Sequence, residues 1–253
     1  MRRGLALVAA LLCTAACMSG TKKMPPSELY LTERMATVLL QQGNAADAEA
    51  SFRKVIPQDP ENPEMRDGHG LSLLMLGRAR EALAEFDKAL QISSRGAYLN
   101  NRGAAKMALG DINGAEADFL KAYDSSLTAD KESALINLGR ARMRRGMYTE
   151  SQDALTRAIE LDPESFDALI ARGECRELLH DERGAVADYL VALRLKNDNL
   201  EAMFRVGVAL IALKQDELGK RYLQRITELS PDAPEAARAR VLLGQERSLE
   251  IPH

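Results

Sequence analysis

Small and large apolar residues recur along this chain at a fixed interval. Gly70, Gly103, Gly139, Gly173 and Gly207 are separated by 33, 36, 34 and 34 residues, and Ala36 lies 34 before the first. Twelve residues after each of these six comes another small residue: Ala48, Ala82, Ala115, Ser151, Ala185 and Gly219. Sixteen after comes a large one: Phe52, Phe86, Phe119, Leu155, Tyr189 and Leu223. Nineteen after comes Val55, Ala89, Ala122, Ala158, Ala192 and Ile226. A period near 34 in a helix-forming sequence predicts a solenoid of six helix-turn-helix repeats. Gly43, Gly77, Gly110 and Gly146 sit where each first helix must end, because glycine accepts the left-handed backbone that closes a helix. His180 and Lys214 hold that slot in repeats five and six, so those two turns are expected to be less tight.

The departures shape the array. Pro57 falls in the second helix of repeat one, which is expected to stop near Val55 or Ile56. Pro60, Pro163 and Pro231 close second helices. Repeat two ends in Ser93-Ser94-Arg95 without proline, and repeat three runs into an irregular turn at residues 124–130. The repeats are expected at about 29–62, 63–95, 96–131, 132–165, 166–199 and 200–232. Residues 233–248, with Ala236, Ala239, Val241, Leu242 and Leu243, suit a capping helix over the open face of repeat six, before a frayed tail at 249–253.

Composition adds little: Ala, Leu, Glu and Arg abound, with no Trp, as an all-α fold favours. The N-terminus adds more. Met1-Arg2-Arg3 precedes nine apolar residues, 4–12, and then Thr14-Ala15-Ala16 before Cys17. This reads as a secretory signal, too short to span a bilayer. Ordinary cleavage after Ala16 is one outcome. The segment also resembles a lipoprotein signal, in which Cys17 is acylated and becomes the new N-terminus, with Thr14 where that family usually has Leu. Met18 and Ser19, in place of an Asp after the cysteine, resemble outer-membrane sorting. Residues 1–16 are then signal peptide and 17–28 a lipid-anchored tether containing Gly20, Pro25 and Pro26. The net charge is −3, and loss of Arg2 and Arg3 makes it −5, which argues against a general nucleic-acid binder. Cys13 and Cys17 lie in the N-terminal segment, so Cys175 has no partner for an intramolecular disulfide and is expected to be a small buried residue.

The repeated positions resemble the tetratricopeptide repeat, which has small residues at positions 8 and 20, an aromatic at 24 and proline at 32. The resemblance covers about residues 29–232 and implies a right-handed superhelical solenoid. It also implies that positions 2, 5, 9, 12 and 13 of each first helix line an inner groove. Repeat one would offer Tyr30 and Leu40 there, and repeat two Leu71, Leu74 and Met75. Repeat three would offer Asn100 and Met107, and repeat four Ile136, Arg140 and Arg144. The leucines and methionines form an apolar strip suited to an amphipathic or extended segment. Arg140, Arg142, Arg144 and Arg145 could bind an anion, or form a solvated face paired with Glu. Asn101 and Asn137 lack the lysines that accompany such residues in chaperone-binding members.

Candidate chemistry is sparse. His69, His180 and His253 form no metal-ligand pattern, and no P-loop, G-x-S-x-G or dinucleotide fingerprint occurs. No catalytic site, metal, cofactor or small-molecule substrate is expected, so the chain reads as a binding protein rather than an enzyme. An anchored cysteine followed by six such repeats resembles the type IV pilus secretin pilotins. That resemblance implies a secretin subunit as partner, and a role in its outer-membrane localisation and multimerisation. The alternative is a periplasmic scaffold lipoprotein recruiting peptidoglycan hydrolases or synthases.

Overall fold

The computed structural model describes residues 23–125 and 128–245. The expected signal peptide at 1–16, Cys17 and the tail at 249–253 lie outside the described residues. Among those described there are thirteen α-helices and no strand. Among the described residues no helix is long and apolar enough to cross a membrane. The chain forms two compact units, Met1–Ser94 and Arg95–His253.

The N-terminal unit holds two helix pairs, α1 (Pro26–Gln41) with α2 (Ala45–Val55) and α3 (Pro63–Met75) with α4 (Ala79–Ile92). The C-terminal unit holds four more pairs. They are α5 (Gly96–Ala108) with α6 (Ile112–Ser125), α7 (Thr128–Arg144) with α8 (Tyr148–Leu161), α9 (Phe166–Leu178) with α10 (Glu182–Leu195), and α11 (Leu200–Ala212) with α12 (Asp216–Leu229). A last helix, α13 (Pro234–Leu242), packs on α12. The all-helical array of six helix pairs closed by one further helix is the architecture that the period of 34 predicts.

The period has a steric cause. A Cβ on Gly70 would lie 2.5 Å from the Phe86 ring, and one on Gly103 would lie 2.5 Å from Phe119. One on Gly139 would lie 2.6 Å from Leu155. The large residue of each second helix therefore seats on the bare backbone of its own first helix. Phe52 is the exception: repeat one has Ala36 at that point, and the ring lies against Gly68 of repeat two instead. At the second small position the helices nearly touch, and the Ser151 hydroxyl donates to the Gly139 carbonyl at 2.8 Å. Cys175 is fully buried where α9 packs on α8 of the preceding repeat, its Sγ 3.1 Å from the Tyr148 carbonyl. Burial, outweighing the Ser151 hydroxyl, pushes its thiol above the ordinary range.

Three expectations need correction. The turns at His180 and Lys214 are as tight as the glycine turns. His180 donates to the Glu177 carbonyl at 3.0 Å and Asp181 to that of Arg176 at 2.8 Å, matching 3.0 and 2.9 Å at Gly146 and Met147. Both residues adopt the left-handed backbone, with φ of 58° and 62°. The hydrogen bonds fix the geometry, and the side chain bears a steric cost of about 1–2 kcal/mol. Second, most of residues 124–130 is helical: α6 runs to Ser125 and α7 begins at Thr128. The extra residues thus lengthen α7 to 17 residues, where the other first helices of the C-terminal unit have 13. Third, α13 stops at Leu242 and closes with Gly244 at φ 72°, the turn that ends each first helix. Ala236 and Ala239 are buried, and Leu243 packs against the same cluster, whereas Val241 and Leu242 face solvent.

Two measurements check this account. Gly103→Ala is expected to destabilise the chain by about 1–3 kcal/mol, offset in part by a helix-propensity gain of about 1 kcal/mol. Combining it with Phe119→Leu should recover stability relative to the sum of the single variants, as urea midpoints would show. Separately, His180→Gly and Lys214→Gly should each stabilise the chain by up to about 1 kcal/mol after the greater entropy of unfolded glycine is deducted, read as a higher urea midpoint.

Candidate binding surfaces

Successive first helices lie side by side in each unit, and their shared face carries the candidate groove residues. In the N-terminal unit, Asn62 starts α3 by accepting the Met65 amide, and α1 lies against both α2 and α3. Tyr30, Glu33, Arg34, Thr37, Val38, Gln41 and Met65 line a depression of about 320 Å³. Arg34 donates to the Tyr30 hydroxyl at 3.0 Å and lies 5.8 Å from the ring centroid. Burial, helped by Asp59, pushes the Glu33 carboxyl upward. The expected apolar strip is only partly available here. Leu40 packs on the core of Ala36, Ala48, Phe52 and Val55. Leu71 and Leu74 are half-buried, and Met75 is 54% exposed.

In the C-terminal unit, Asn100, Ser133, Ile136, Asn137, Arg140 and Asp167 line a second depression, of about 270 Å³. Its side chains come from α5, α7 and α9. Ser165 caps the start of α9 by accepting the Ala168 amide at 3.2 Å, which sets Asp167 in the first turn. Asn137 donates to the Asn100 carboxamide oxygen at 3.0 Å, and Arg140 lies 3.8 Å from Asp167. The structure thus brings Asn100, Ile136 and Arg140 together, as the groove positions imply, and adds Asn137. Ile136 is buried, 6% exposed, so it is a floor rather than an exposed contact. Met107 packs against the core beside it, and the exposed Arg144 donates to the Met107 carbonyl at 3.3 Å. The pocket is polar, with Asn100 and Arg140 at groove positions, and the leucines and methionines of the expected apolar strip do not line it.

The arginine cluster divides between two faces. Arg142 donates to Glu116 of α6 at 3.1 Å, and Arg145 pairs with the same carboxylate. Arg140 and Arg144 project toward the pocket side. Further along, Arg205 is held by Glu174 at 2.6 Å, Glu201 at 2.7 Å and Glu177 at 3.7 Å. Arg238 pairs with Glu201 at 2.9 Å and covers the Phe204 ring at 3.9 Å. The acidic groove positions of repeats five and six are therefore already neutralised.

Sequence reasoning missed the buried ion pairs beneath this face. Asp118 receives Arg102 at 2.7 Å and Lys106 at 2.7 Å; Asp188 receives Arg172 at 2.7 Å and Arg176 at 2.8 Å. Each arginine one residue before a seam glycine meets an aspartate 16 residues on, a spacing visible in the sequence once the helix pairing is known. In repeat two the same two positions carry His69 and Glu85, 3.8 Å apart, with Glu49 at 3.7 Å on the other side of the ring. Burial alone would raise the Glu85 carboxyl; His69 and Lys88 outweigh it and hold Glu85 at about 2. Among the described residues no group of three or more His, Cys, Asp or Glu could hold a metal ion.

Family profiles described as tetratricopeptide repeat match residues 34–97, 136–202 and 201–233. Among curated proteins, DnaJ homolog subfamily C member 3 of Homo sapiens is 26% identical over 208 residues, 77% of this chain and 41% of its own length. The chain thus spans about two fifths of that relative. Among solved structures, one described as the functional characterization of Pseudomonas aeruginosa PilF aligns over 86% of this chain and 97% of its own, with a TM-score of 0.70 and 16% identity. PilW, described as a widely conserved type IV pilus biogenesis factor, aligns over 85% of this chain and 99% of its own, with a TM-score of 0.76 and 16% identity. At such identities the likeness is one of fold.

Asp118→Asn leaves Arg102 and Lys106 without their carboxylate and is expected to cost about 3–5 kcal/mol in urea denaturation at neutral pH. Burial would raise the Asp118 carboxyl, but Arg102 and Lys106 hold it below its ordinary 3.8. Its stabilisation is therefore present above that pH and is lost as the pH falls through the folded value. The parent should lose this contribution in acid, whereas the variant should show a flatter acid limb.

Proposed function

The chain belongs to the tetratricopeptide-repeat family, and we propose from that premise that it is a pilotin. In this reading it is a lipid-anchored outer-membrane assembly factor that binds a secretin subunit and promotes its localisation and multimerisation for type IV pilus biogenesis. One observation carries the reading: the array runs end to end with PilF and PilW, covering 97% and 99% of those chains. The large curated relatives share only a stretch of repeats. The address supports it too, because Cys17 directly follows a signal-like segment.

Each step of the mechanism uses a named part. Acylated Cys17 holds the array at the inner face of the outer membrane, where several acyl chains give stable anchoring. Tethering raises the effective concentration of the binding surfaces where secretin subunits arrive. The C-terminal unit offers carboxamides and a guanidinium, from Asn100, Asn137 and Arg140. These suit the main chain and carboxylates of an extended segment. The N-terminal unit offers Leu71, Leu74 and Met75 for apolar contact. The partner leaves as subunits bury the same segment against one another in the ring.

Two variants test this. Cys17→Ala should leave the fold intact and abolish secretin multimers in the outer membrane; normal multimers and piliation would sink it. Arg140→Glu, at a half-exposed position, should weaken capture of the secretin subunit at least tenfold without moving the melting temperature. Capture of a peptidoglycan hydrolase or synthase instead, unaffected by this change, would establish the scaffold reading.

A further inference from the structure

The outward side of α1 is built differently from its counterparts. In repeats two, four, five and six, the residue two after the seam glycine faces the second helix of the preceding repeat and is small and buried: Ser72, Ala141, Cys175 and Ala209. The residue one before the glycine is likewise covered at His69, Leu138 and Val206. Contacts confirm the facing: Cys175 reaches Tyr148 of α8, and His69 reaches Glu49 of α2. Five residues before the glycine stand Ala134, Ala168 and Ala202 in repeats four to six, all buried.

Repeat one has no preceding second helix among the described residues. Its three equivalents are Leu31, Met35 and Val38, at 65%, 56% and 43% exposure. Spaced four and three apart, they form one stripe along α1. A terminal repeat is expected to turn a polar face outward. This one turns out large apolar side chains. Leu31 and Val38 stand where repeats four to six carry Ala or Cys, so at these two points the stripe is bulkier than the small residues that let a second helix come close, whereas Met35 has large counterparts in His69, Leu138 and Val206. A fluid apolar phase imposes no such limit.

We propose that the Leu31–Met35–Val38 stripe rests in the membrane surface as a second attachment beside the lipid anchor. The setting matches such a contact. Tyr30 and Arg34 flank the stripe, the amphipathic residue types that sit at a membrane interface. Lys22 and Lys23 precede it, suited to anionic headgroups. Only nine residue steps separate Cys17 from Pro26, a reach of at most about 30 Å fully extended. The Met24 amide donates to Gln58 at 3.0 Å and fixes where the tether meets the array. One attachment leaves the array free to swivel; two set its orientation over the bilayer. The inference rests on the acylation of Cys17 for this reach, while the stripe's own affinity for lipid is separable.

The absence of tryptophan gives a clean probe. Leu31→Trp in the full chain, reconstituted in vesicles of phosphatidylethanolamine and phosphatidylglycerol, is expected to show blue-shifted emission that brominated acyl chains quench. Ala84→Trp, at an exposed position of α4, should show neither. Adding Met35→Gln and Val38→Gln should return the introduced indole to its aqueous emission with an unchanged melting temperature. Aqueous emission on vesicles overturns the proposal. So does a blue shift that needs no vesicles and grows with protein concentration, which marks a second copy, or one that needs the secretin subunit. Acylation is read separately from the mass of the N-terminal peptide. In an unacylated chain, a lipid-dependent shift still supports the stripe and its absence still overturns it.

Discussion

The array depends on a missing side chain. Where Gly103 or Gly139 lets Phe119 or Leu155 lie on bare backbone, the two helices of a repeat come close enough for the next repeat to stack. Close packing of this kind tolerates little added volume. Everything else follows from how the seam orients the first helices. It decides which side faces the preceding repeat, which side holds the buried ion pairs, and which side is left for a ligand. The seam is also why the pockets are shallow: one layer of first helices cannot enclose a cavity.

Buried charge is the second constraint. Asp118 and Asp188 lie inside the helix pairs, each between two cations. A buried pair of this sort contributes little net stability against an apolar replacement but is costly to break. Repeats four and six carry Leu138 with Ala154 and Val206 with Tyr222 at the same positions, so the array alternates ionic and apolar interiors. The ionic repeats also draw Lys106 and Arg176 inward, which removes cations from the surface. Arg205 and Arg238 do the same for the carboxylates of repeats five and six. In the C-terminal unit, Asn100, Asn137 and Arg140 line the polar depression that faces solvent.

The fold was legible because its determinants are local and repeated. Glycine at the turns and small residues at the seam recur at fixed offsets. Pro57 ends α2 at Val55 for a reason visible in the residue itself. Legibility failed where neighbours override propensity. His180 and Lys214 accept a left-handed backbone because the helix-end hydrogen bonds require it. Residues 128–130 join a helix although the serines before them look like a turn. For the binding surface, helical period gave the right side of each helix but not the depth of each residue. Leu40, Met107 and Ile136 belong to the core, whereas Met75 stands clear of it. The Asp118 and Asp188 pairs span two helices, so no i,i+4 rule could find them.

In an oxidising compartment, such as the proposed address implies, the placement of Cys175 would matter. Thiol–disulfide exchange needs a thiolate and an approach path. Burial keeps this sulfur protonated, and the packing of α9 on α8 denies access to it. A passing disulfide oxidant would therefore meet no reactive thiol among the described residues of the folded array, and a mixed disulfide at Cys175 becomes a marker of chains whose fifth repeat has yet to stack on the fourth.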